Sequence, residues 1–122
     1  MTKIFSVLNL SFESPQKDAY AKNPTDAINK MQILQQLGAN YVDIGARSSF
    51  SKSEPLDDRI EYERLASFFS TPRAEGSIPL SLDTWSDINA CKFLNQIEVL
   101  NYTSTYFPDK LISDLKNAHC KI

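Results

Sequence analysis

Alternation is the feature that most constrains this chain. Short apolar runs rich in Val, Ile and Leu occupy residues 3–9, 40–44, 78–83 and 97–101, and a fifth begins at Cys120. Between them lie longer stretches with helical periodicity. Continuous apolar runs of this length suit strands buried on both faces of a parallel sheet. The spacing predicts helices over 24–37, 58–69, 87–94 and 108–118. Asn23 is placed to cap the first, Pro24 suits its first position, and Gly38 supplies a left-handed stop. Ser86 is placed to cap the third. Ile28, Met31, Leu34 and Leu37 recur at helical spacing in the first helix, as do Ile60, Leu65, Phe68 and Phe69 in the second. Leu111, Ile112, Leu115 and Ala118 do so in the fourth. The charged run from Asp57 to Arg64 reads as the solvated face of the second helix, with i,i+4 pairs.

Four strand–helix units in 122 residues specify an α/β fold. Two architectures fit. One is a partial (β/α)8 barrel, the first four βα units with the start of strand 5; the pace projects to about 240 residues for eight units. The other is a flavodoxin-like domain. The barrel is favoured because strand 5 has only begun at residue 122 and no fifth helix follows.

Composition removes several functions. Net charge is −2, which disfavours a nucleic-acid binder. No apolar run approaches 18 residues, so no membrane span is expected. Two cysteines, Cys91 and Cys120, form no CxxC pair and point to a reduced, cytoplasmic setting. A single histidine, His119, cannot build a multi-histidine metal site. Three glycines leave no glycine-rich phosphate loop.

The polar residues at the strand ends carry the chemistry. Asn9, Asp43, Asp83 and Asn101 each follow an apolar stretch, and the C-terminal ends of the strands form the working face of α/β folds. Two carboxylates and two carboxamides would suit a flat polar heterocycle, or a hard cation such as Mg²⁺. Alternatively they tie the following loops. Trp85, next to this face, could stack on a ring or pack on the third helix.

These segments resemble the dihydropteroate synthase family. Val7-Leu8-Asn9-Leu10-Ser11-Phe12-Glu13-Ser14 is similar to its strand-1 L-N-V-T-P-D-S-F. Gly38-Ala39-Asn40-Tyr41-Val42-Asp43-Ile44-Gly45 is similar to G-A-D-I-I-D-I-G, Leu80-Ser81-Leu82-Asp83-Thr84 to S-V-D-T, and Leu100-Asn101 to I-N-D. The order and spacing are the family's, so residues 1–122 resemble the N-terminal half of its barrel. The resemblance implies a transferase of folate synthesis. Its substrates would be 6-hydroxymethyl-7,8-dihydropterin diphosphate and p-aminobenzoate, with release of diphosphate. It implies that Asp83 and Asn101 bind the pterin with Asp43 beside them, and that Asn9 sits at Mg²⁺ and diphosphate. Catalytic work would fall to Asn9 and Ser49, with Ser11, Glu13 and Ser48 in the flanking loops; Arg47, a departure from the family, is expected to join them by supplying positive charge to Glu13 or to diphosphate. The resemblance further implies a homodimer for the full-length protein, and weak binding and poor turnover for these residues alone, because the family's remaining pterin contacts come from later strands.

This chain departs from the family in its loops. The family's G-G-E-S-T-R-P-G reads Gly45-Ala46-Arg47-Ser48-Ser49-Phe50-Ser51-Lys52, so its Glu becomes Arg47 and its Arg becomes Phe50. Tyr102 replaces an Asp. Such changes keep open a pterin-binding module of the methylfolate–corrinoid type. A receiver-like regulatory domain, phosphorylated at Asp83, is a further alternative.

Overall fold

The computed structural model describes residues 2–10, 21–46, 58–118 and 120–121. Four parallel strands alternate with four helices: β1 (Phe5–Asn9), α1 (Pro24–Gln36), β2 (Tyr41–Gly45), α2 (Asp58–Phe69), β3 (Leu80–Thr84), α3 (Asp87–Phe93), β4 (Val99–Tyr102) and α4 (Asp109–Asn117). A single 3₁₀ turn, Leu94–Gln96, follows α3.

Local chemistry sets the helix ends. The Asn23 side chain accepts from the Asp26 amide at 2.8 Å, and the Asp26 carboxylate accepts from the Lys22 amide at 2.8 Å. Lys30 adds an i,i+4 pair to Asp26 at 3.0 Å. Gly38 takes φ of +101°, a left-handed conformation that costs a glycine little. The Ser86 hydroxyl accepts from the Asn89 amide at 3.1 Å and starts α3.

Strand order separates the two expected architectures. The order is β1-β2-β3-β4, and every pair is parallel. A flavodoxin-like sheet reverses direction beside its first strand and carries helices on both faces. This sheet never reverses. With right-handed crossovers, consecutive order puts every helix on one face. The helices accordingly touch in sequence, α1 on α2, α2 on α3, α3 on α4. This is the wall of a (β/α) barrel, and the flavodoxin alternative falls, together with the receiver-like reading built on it. The fifth strand starts as expected: Lys121 pairs with Val99 in parallel, and the Leu100 amide donates to the Lys121 carbonyl at 2.6 Å.

The core lies between sheet and helices. Leu8, Val42, Ile44, Leu80, Leu82 and Leu100 face Ala27, Met31, Leu65, Phe68, Ala90, Phe93 and Leu111. The alternate strand residues form the other face, where Val7 is 63% exposed and Phe5 stacks on Tyr41 at 4.6 Å.

Several sequence expectations need correction. Leu37 is exposed rather than internal, because α1 ends at Gln36 and Leu37 is its cap. Ile112 also lies outward on α4. The charged run of α2 is not wholly solvated. Glu61 is fully buried, and the Arg64 guanidinium is part-buried and donates to the Ala46 carbonyl at 3.0 Å. Finally, β2 runs one residue further than expected, through Gly45. Asp43 is therefore not at the strand end.

Candidate functional site

The pleat decides which polar residues meet. In strand register Asn9, Gly45, Asp83 and Asn101 lie side by side across the four strands, and Val7, Asp43, Ser81 and Val99 form the row beneath. All belong to the face that the helices leave bare, since side chains two apart on a strand share a face. Asp43 thus sits one pleat deeper than the other three predicted residues. It is buried, whereas Asn9 and Asp83 are half-buried and Asn101 is exposed.

The structure joins Asp43 to Asn101. The Asn101 carboxamide donates to Asp43 Oδ2 at 3.4 Å, at the long limit of a hydrogen bond. Asp43 Oδ1 is buried and has no hydrogen-bond partner among the described residues. A buried carboxylate oxygen in this condition carries a desolvation cost that a donor would remove. Burial pushes the Asp43 carboxyl above its ordinary range, against the opposing pull of the Ser81 and Asn101 side chains. Asp83 is pushed up to about 6, first by burial and then by the negative charges of Asp43 and Glu61.

Between β1 and β3 these residues line a cleft of about 310 Å³ with Trp85, Thr84, Glu61, Gly45 and Thr103. Trp85 is 53% exposed at its margin, open enough to meet a ligand ring. A neighbouring depression of about 350 Å³ shares Val7 and Asp43 and extends to Asn101 and Tyr102. A larger hollow, about 470 Å³, lies at the other ends of the strands, around Arg73, Gly76, Gln96 and Glu98. It holds none of the converging strand-end residues. The chemistry favours the smaller cleft over the larger hollow.

Gly45 forms the floor between Asn9 and Asp83. A Cβ there would meet only the Asp83 Cβ and carbonyl, at 3.8 Å, which is ordinary contact. Gly45→Ala is therefore expected to keep the fold, with a change in unfolding free energy under about 1 kcal/mol. It is also expected to weaken ligand binding about tenfold by filling the floor. Urea unfolding and ligand titration on the same variant check this. Equal affinity would show that the cleft is used elsewhere.

Among the loop residues singled out from the sequence, Ser11, Glu13, Arg47, Ser48 and Ser49 lie outside the described residues, as does His119. Sequence reasoning missed Glu61, Thr84 and Asn89. The signal existed for Glu61: with Leu65 and Phe68 it forms an i, i+4, i+7 stripe, so its place is on the buried face.

No three described residues of the His, Cys, Asp and Glu types cluster as a metal cage. The Asn9 carboxamide oxygen fits a hard cation that takes its other ligands from water and phosphate, the usual habit of Mg²⁺. None of the helices in the described residues is long and apolar enough to cross a membrane.

Comparison with known proteins gives one consistent result. Residues 5–97 match the model of a family described as pterin binding enzyme. A dihydropteroate synthase type-2 of Escherichia coli is 30% identical over 82 residues, 67% of this chain and 30% of that protein, and its Shigella flexneri counterpart matches equally. The 7,8-dihydropteroate synthase of Vibrio fischeri superposes with a TM-score of 0.75 at 12% identity, covering 98% of this chain and 43% of the other. The Burkholderia cenocepacia dihydropteroate synthase, solved with 7,8-dihydropteroate, gives 0.69 at 17% identity over 98% and 39%. The Yersinia pestis enzyme, solved with a sulfonamide drug, gives 0.67 at 18% over 80% and 36%. The structural likenesses show the fold. The chain spans about a third of the length of the curated relatives it matches.

Proposed function

This chain belongs to the pterin-binding enzyme family, and on that premise we propose that its strand-end cleft binds the pterin ring in a dihydropteroate synthase-like transferase. The reaction joins 6-hydroxymethyl-7,8-dihydropterin diphosphate to p-aminobenzoate. The bond between the pterin methylene carbon and the diphosphate oxygen breaks with its electron pair leaving on diphosphate. The arylamine nitrogen bonds to that carbon and loses a proton to solvent. No electrons are exchanged with an oxidant or reductant.

The observation that carries this reading is the state of the two carboxylates. Asp43 keeps one buried oxygen without a donor, and Asp83 is held at a raised pKa beside it. A pterin presents an exocyclic amine and ring N–H groups along one edge and carbonyl and ring-nitrogen acceptors nearby. Carboxylates accept from the first set, and the Asn101 carboxamide serves either set. Charge-assisted hydrogen bonds of this kind are the stronger ones. Trp85, half-exposed at the margin, offers a ring to stack on.

Asn9 would hold Mg²⁺ by its carboxamide oxygen, and the ion, when bound, would neutralise charge developing on the departing diphosphate. Arg47 and Ser49, which follow β2 in the sequence, are proposed to contact the same diphosphate. The E. coli relative's full length exceeds this chain, so turnover is proposed for the complete enzyme and pterin recognition for these residues.

Dihydropterin affinity tests the reading through its pH dependence. An ionised Asp83 accepts two hydrogens, and a protonated one loses that capacity. Affinity should therefore rise about tenfold per pH unit below 6 and level off above 7. Calorimetric titration between pH 5 and 8 reads this directly. A flat profile would remove Asp83 from the pterin contact.

A further inference from the structure

Glu61 is the most deeply buried charged side chain described, and beyond its charge near Asp83 the pterin chemistry above gives it no contact with the ligand. It lies on α2 with no exposed surface, at the back of the cleft. Its partners are well defined. Thr84 Oγ1 donates toward the carboxylate, 3.0 Å from Oε1 and 3.1 Å from Oε2. The Asn89 carboxamide donates to Glu61 Oε1 at 2.7 Å, and also to the Asp58 carbonyl at 2.9 Å. Thr84 Oγ1 in turn accepts from the Ser86 amide at 3.0 Å. One carboxylate on α2 therefore fastens the last residue of β3 and the first turn of α3.

The placement of these residues gives the network its consequence. Asp83 and Thr84 are adjacent on β3, so their side chains leave opposite faces of the sheet. Thr84 points back to Glu61 while Asp83 points to the cleft. Fixing Thr84 fixes the backbone from which Asp83 projects. Trp85 and Ser86 complete the turn, with Ser86 tied to Thr84 and capping α3. One helical turn along α2, Arg64 donates to the carbonyl of Ala46 at the end of β2. The same helix thus clamps the ends of both strands that carry the site's carboxylates.

We propose that Glu61 is a positioning residue, which holds the β3–α3 turn so that Asp83 and Trp85 present to the ligand. The ligand side of this inference rests on the pterin reading. A buried carboxylate held by the Thr84 hydroxyl and the Asn89 carboxamide would be retained for geometry rather than stability, since an apolar residue of similar volume would fill the same space at lower desolvation cost.

Three variants test it: Glu61→Gln, Glu61→Ala and Thr84→Val. Oε1 of Gln can accept from both Thr84 and Asn89, as Oε1 of Glu61 does now. Glu61→Gln is therefore expected to keep dihydropterin affinity within about threefold. Glu61→Ala is expected to lose at least about tenfold and to speed amide exchange at Ser86 and Asn89 about a hundredfold. Exchange in β1 and α1 should stay as it was. Thr84→Val breaks the same link, so its effect should not add to that of Glu61→Ala. If Glu61→Ala fails to fold, the Gln and Val variants still separate the outcomes.

A lowered melting temperature with unchanged dihydropterin affinity and unchanged Ser86 exchange would overturn the inference and leave Glu61 a packing residue. If the unaltered chain binds no dihydropterin, the pterin reading fails by itself. The exchange data then still decide whether Glu61 holds the turn: unaltered protection at Ser86 and Asn89 in Glu61→Ala would overturn it.

Discussion

Asp83→Asn is expected to stabilise the chain at pH 7 and to weaken dihydropterin binding in the same molecule. Asp83 is half-buried, and its carboxyl is raised to about 6 by burial and by the charges of Asp43 and Glu61. A carboxyl whose folded-state pKa lies above its unfolded value binds protons more tightly in the folded chain. Folding stability from this group is thus fully present below about pH 4 and is lost as pH rises through 6. At pH 7 the charged Asp83 is a net burden. Asn keeps the shape and removes the charge, so unfolding free energy should rise by about 1 kcal/mol, a figure kept small because solvent reaches part of the group. The decline in stability between pH 4 and 6 should shrink in the variant. Binding should move the other way. Loss of a charge-assisted contact is worth about 2–3 kcal/mol, or roughly a 30- to 150-fold weaker dihydropterin complex. Urea unfolding and calorimetry on both proteins read the two effects. A variant that is less stable and binds equally well would mean that Asp83 is a structural residue.

Phe68→Ala is expected to abolish cooperative folding near 37 °C. Phe68 has no exposed surface, lies edge-to-face with Phe69 at 5.2 Å, and has Arg73 over its ring at 5.9 Å. Truncation of such a side chain costs about 3–5 kcal/mol. A domain of this size has about 5–15 kcal/mol in total. This one is expected near the bottom of that range, because Val7 and Phe5 on the open face of the sheet are exposed and contribute little burial. Loss of the near-ultraviolet circular dichroism signal and of the sharp urea transition would be the result. A shift below about 1 kcal/mol would show that α2 is not seated on the sheet as described.

Much of the architecture was legible in the sequence. The apolar runs became the strands with ends displaced by one or two residues, and the predicted α2 has the observed bounds. Asn23, Ser86 and Gly38 do what their chemistry implies. Strand order was not readable, because periodicity records burial and not adjacency; only the register distinguished a barrel wall from a flavodoxin-like sheet. The depth of Asp43 was missed for a related reason. Gly45 carries no side chain to signal membership of β2, so the apolar run ends at Ile44 and places Asp43 at its rim, whereas the strand continues through Gly45. Glu61 was hidden by its own charge. A carboxylate among Asp58, Arg59, Glu63 and Arg64 reads as solvated, and only the geometry of Thr84 and Asn89 shows why it turns inward.

One measurement tests the central claim most directly: a dihydropterin titration of the isotope-labelled chain, followed by NMR at side-chain carboxyl and carboxamide groups. Shifts that saturate together at Asn9, Asp43, Asp83 and Asn101, with the Trp85 indole among them, are the result predicted here. No shift at millimolar dihydropterin would contradict the account. So would shifts confined to the opposite end, around Arg73, Gly76 and Glu98, where the 470 Å³ hollow lies.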